Sequence, residues 1–118
     1  MKKLAIFLLA VIGCFAAPPE GKWVGEAPGM SGTLDKTTFE FHVDGAKLNG
    51  SVTLASGTVY PIREGTLAGD DIRFYIVVPM GRDTKLIYTG KLQGDEIKFT
   101  RAMEGMGSKA EFTAKPVH

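Results

Sequence analysis

The chain has 118 residues, with 14 Lys+Arg against 13 Asp+Glu, 44% apolar residues, 15 glycines and a single cysteine. That length allows one domain, and a net charge of +1 excludes the strongly basic surface that would hold nucleic acid. With one cysteine there is no internal disulfide, so the fold must rest on its core alone.

Residues 1–16 show the three zones of a secretory signal: Lys2 and Lys3, the apolar run LAIFLLAVI, then the small residues Ala16 and Ala17. The run is shorter than the roughly 20 residues a bilayer span needs. It also lacks the polar positions at helical spacing that a helix buried on one side would show. Two processing routes compete. A cut after Ala16 puts Cys14 at the −3 position, and Pro18 disfavours a cut one residue later. Alternatively VIGC, residues 11–14, resembles the lipobox of bacterial lipoproteins, with Cys14 as the lipid-bearing first residue. In that case only FAAPPEGK separates Cys14 from Trp23, a short tether, so plain export is the favoured expectation. Either route gives an extracytoplasmic protein, periplasmic or secreted, with membrane attachment only through a lipidated Cys14. Loss of residues 1–16 leaves 12 basic against 13 acidic side chains. The expected organisation is a signal peptide at 1–16, a short linker at 17–21 and a single β domain at 22–118.

From residue 22 onward the apolar pattern has period two. TFEFHV alternates Phe39, Phe41 and Val43 with polar residues. DIRFYIVV, KLIYTGKL and EIKFTRAM behave likewise, and each reads as a strand with one buried face. The segments DGAK (44–47), AGDD (68–71) and QGDE (93–96) are short and carry Gly beside Asp, which suits tight hairpin turns. GTLAGDDIRF (65–74) and GKLQGDEIKF (90–99) echo one another, and similar hairpin chemistry is the plainest explanation. The strands are expected at about 22–27, 36–44, 47–54, 58–67, 72–78, 84–92, 97–103 and 109–115. Short connections make these an antiparallel up-and-down meander of about eight strands, which closes into a small barrel and so removes its edges. A β-sandwich is the alternative. Pro61 marks a bulge or local edge in the fourth strand.

The segment GKWVG (21–25), followed by alternating strands, resembles the start of calycin and lipocalin barrels. GKWVGEA, FEFHVDGAKLNGSV, YTGKLQGDEIKFTR and EFTAK together resemble short exported bacterial modules of unassigned function, over most of residues 21–115. The resemblance implies a barrel in which Trp23 plugs one end.

Candidate chemistry is sparse. His42 lies on the polar face of a strand and His118 ends the chain, and no HExxH, CxxC or GxSxG motif occurs. Asp70-Asp71 and Asp95-Glu96 follow turn glycines, and neighbouring strand residues point to opposite faces, so neither pair is a natural dyad. No catalytic residue, metal site or cofactor is expected. The interior should be solid, filled by Phe39, Phe41, Leu54, Ile72, Phe74 and Ile76 from the first strands. Leu86, Tyr88, Leu92, Ile97, Phe99 and Phe112 complete it.

Loop parity is more informative. In a meander, alternate turns share an end. APGMSGTLD (27–35), ASG (55–57), PMGRD (79–83) and EGMGS (104–108) gather at one mouth, carrying Met30, Met80 and Met106, with Met103 close by. Methionine suits adaptable binding surfaces. It can also simply lid the core, or ligate Cu(I) through its thioether. The expectation carried forward is an exported, non-enzymatic binding module for an apolar small molecule or a protein partner. Its contacts would be Met30, Met80, Met103, Met106 and Trp23. A structural or accessory envelope domain without a small ligand is the alternative.

Overall fold

The computed structural model of the chain describes residues 19–28, 33–107 and 109–117. The expected signal segment, Cys14, Met30 and His118 lie outside them. Nine strands occur among the described residues: β1 (Gly21–Pro28), β2 (Leu34–Asp44), β3 (Lys47–Thr53), β4 (Val59–Pro61), β5 (Arg63–Ala68), β6 (Asp71–Pro79), β7 (Asp83–Gln93), β8 (Glu96–Met103) and β9 (Lys109–Pro116).

Every pairing is antiparallel, and most strands pair with their neighbour in sequence. β1 also pairs with β9 through Trp23–Pro116, Val24–Lys115 and Gly25–Ala114, while β2 pairs with β3. The sheet therefore closes on itself as an eight-stranded barrel, with β4 and β5 sharing the fourth position. The expected single fourth strand is thus divided. β3 bonds first to β5 (Leu48–Gly65) and then to β4 (Val52–Tyr60). Ile62 lies between the two pieces, its N–H donating to the Gly50 carbonyl at 3.0 Å. The register between β5 and β6 shifts between Arg63 and Thr66, and Glu64 takes a positive φ of 49° there. Proline has no N–H to give to a ladder, so Pro61 sits where the pairing is interrupted.

Three hairpins have two-residue turns in which the first residue is glycine: Gly45, Gly69 and Gly94, at φ of 63°, 62° and 64°. Ala46, Asp70 and Asp95 follow without positive φ, as in turns that place glycine first. The echo between residues 65–74 and 90–99 is therefore two copies of one hairpin design.

The interior is aromatic. Phe39 stacks on Phe99 at 4.8 Å between ring centroids and on Phe41 at 5.7 Å, and meets Tyr88 edge-on at 5.7 Å. Phe74 stacks on Tyr88 at 5.0 Å. Small residues make room for these rings: a Cβ on Gly90 would press into the Phe99 ring, and one on Gly25 into Phe112. Of the twelve expected interior residues all but Leu54 are buried, and Leu54 packs partly against the same core.

Candidate functional site

The loops fall into two sets. The three glycine turns close one end of the barrel. The other end carries the connections β1–β2, β3–β4, β6–β7 and β8–β9. A cavity of about 150 Å³ lies at that second end. Its wall draws on several strand ends and connections. Leu54 and Ala55 enter from the β3–β4 connection, Val78 and Met80 from the end of β6, Leu86 from β7, and Met103 from β8. Pro28, Asp35 and Thr37 complete the rim from β1 and β2.

The lining follows from strand parity. On β8, Ile97 and Phe99 face the core, and Arg101 and Met103 continue the same face toward the mouth. On β2, Asp35 and Thr37 precede Phe39 and Phe41 on the inward face, and Thr37 is buried. The mouth is thus an apolar cup with an arginine, a carboxylate and a hydroxyl set into its wall. Arg101 was not singled out from sequence, although its spacing from Ile97 and Phe99 already placed it inside.

Arg101 reaches past β9 to the end of β1, its Nη2 donating to the Pro28 carbonyl at 2.7 Å. Its cross-strand partner on β7 is Tyr88. The Tyr88 hydroxyl is fully buried and has no hydrogen-bond partner of ordinary geometry among the described residues. Burial pushes this phenol above its ordinary pKa, and Arg101, through its charge and as a donor directed at the hydroxyl, opposes the shift without cancelling it. Tyr88 therefore stays protonated and can donate. Among the described residues no ion pair joins Arg101 to a carboxylate. Asp35 accepts from the Thr33 hydroxyl at 3.5 Å instead.

The expected contact residues separate. Met80 and Met103 meet in the cavity wall. Met106 stands exposed on the β8–β9 connection outside the lining, and Met30 lies outside the described residues. Trp23 is buried near the start of β1, toward the glycine turns, and takes no part in the mouth. Its indole N–H has no partner among the described residues.

The glycine-turn end is tied down by Glu20. Its carboxylate accepts the Val43 N–H at 2.8 Å and lies 3.2 Å from His42 Nδ1. The Val43 hydrogen bond first, then His42, holds Glu20 below the ordinary value of 4.5. The described residues contain no group of three or more His, Cys, Asp or Glu that could hold a metal ion. Two larger hollows, of about 330 and 480 Å³, lie along the wall over β8–β9 and over β1–β9. No protein-family model, no curated protein and no solved structure matches this chain.

Proposed function

We propose that this chain is an exported, non-enzymatic barrel of calycin-like design that binds a small apolar molecule at its four-loop mouth. The observation that carries the reading is the cavity walled by Leu54, Val78, Met80, Leu86 and Met103. Burying a ligand's apolar surface there contributes about 25 cal/mol per Å², and the flexible thioethers of Met80 and Met103 adapt to its shape. The export address rests on Lys2, Lys3 and the apolar run after them.

Calorimetric titration with benzyl alcohol, a neutral probe of suitable size, tests the reading. The protein should bind it with a Kd of about 1 mM or tighter. Ala55→Trp, which places a ring at the rim, should weaken binding at least about tenfold, or about 1.4 kcal/mol. Unchanged binding by the filled variant would move the site elsewhere.

A second reading is a protein partner seated on the mouth. Leu34, Val59, Met80 and Met106 favour it, being large apolar residues exposed on or beside the loops of this end.

A further inference from the structure

We infer that the mouth selects a small monocarboxylate, with Arg101 as the group that recognises its charge and the apolar walls holding a body of about one ring. This deepens the binding reading above and rests on it.

Arg101 is half-buried at the mouth, on the inward face of β8. A guanidinium facing a barrel interior is unfavourable unless its donors find acceptors. The group has five N–H donors. Among the described residues it donates to the Pro28 carbonyl and lies against the Tyr88 hydroxyl, two acceptors for five donors. Tyr88, paired with Arg101 across β7 and β8, is fully buried and is not part of the cavity lining. The guanidinium alone thus presents the cavity with donors in excess of acceptors. A carboxylate supplies the missing acceptors, and its two oxygens match the planar fork of a guanidinium in a pair of parallel charge-assisted hydrogen bonds. Asp35 also lines the cavity, but it bonds to the Thr33 hydroxyl and forms no ion pair with Arg101. Among the described residues no carboxylate therefore makes a direct pair with the guanidinium, and its fork stays available to a ligand.

Size and charge set the rest of the class. The cavity is about 150 Å³, and an apolar cavity of about that volume holds one benzene ring. One guanidinium balances one negative charge. A long acyl chain would leave most of its length outside, whereas a single ring or a chain of about six carbons is covered.

The test compares benzoate with benzyl alcohol, by calorimetry on the purified protein at pH 7 and low salt. Benzoate should bind at least about tenfold more tightly. Arg101→Gln should collapse the benzoate-to-alcohol affinity ratio to about one, both ligands being measured on that variant. Arg101→Lys, which keeps the charge but loses the fork, should recover part of the difference. The acid-to-alcohol ratio on the unaltered protein stands even where a variant fails to fold. Equal binding of acid and alcohol would overturn the inference and leave the mouth as an apolar site. Binding of neither would overturn both the inference and the reading beneath it.

Discussion

Phe39 shows at the scale of single residues how this sequence makes a core without a disulfide. Its ring is fully buried and meets five others: Phe41, Phe74, Tyr88, Phe99 and Phe112. Truncation would open a hole that rigid neighbouring rings cannot collapse to fill. Phe39→Ala should therefore lower stability by about 3–5 kcal/mol in urea unfolding, a large share of the roughly 5–15 kcal/mol of a typical domain. A loss below about 1 kcal/mol would mean the ring cluster is loosely packed. The same parity that identifies Phe39 as interior identifies Arg101. In EIKFTRAM the inward positions are Ile97, Phe99, Arg101 and Met103. A basic residue on a strand is easily read as solvent-facing from its type, and here position outweighs type. Nothing in the sequence indicates that its guanidinium reaches Pro28, because that contact passes over β9 to β1 and is not made with a paired strand.

Among the elements, the fourth position of the barrel departs most from regular pairing. β3 changes partner from β5 to β4 across Asn49 and Gly50. Gly50 sits at φ 135°, where a Cβ would collide with the Glu40 carbonyl oxygen. Gly65 faces the Leu48 carbonyl in the same way from β5. These glycines let neighbouring backbones approach where the wall bends. Gly50→Ala should lower stability by about 2–3 kcal/mol, seen as a fall in the thermal midpoint, while Gly45→Ala, whose Cβ would meet open space, should lower it less. Equal losses would contradict the close approach as the cause. The glycine turns were legible because two-residue hairpins admit few residue types at their first position. Pro61 marked the irregular strand correctly. The full division at Ile62 was not legible, since it depends on which backbone groups of β3 and β6 remain to be paired.

Across the whole molecule, barrel closure sorts the loops, and loop sorting makes the site. Closure was legible from the short connections and the even strand count. So was the gathering of Met80 and Met103 at one end, because parity needs only an ordered count of turns. The place of Trp23 was not: its motif says that an end is plugged but not which, and the register with Phe39 and Pro116 puts it toward the glycine turns. One end of the barrel is thus closed by three tight turns and the Glu20 clamp, and the other holds an apolar cup. We propose that the cup binds a ligand. Methyl NMR of the protein labelled with 13C at methionine, titrated with benzyl alcohol, tests it most directly. A ligand seated in the cup should give saturable shifts of the Met80 and Met103 methyl signals, with the exposed Met106 methyl nearly still. Static Met80 and Met103 signals at ligand concentrations that saturate the calorimetric titration would contradict it.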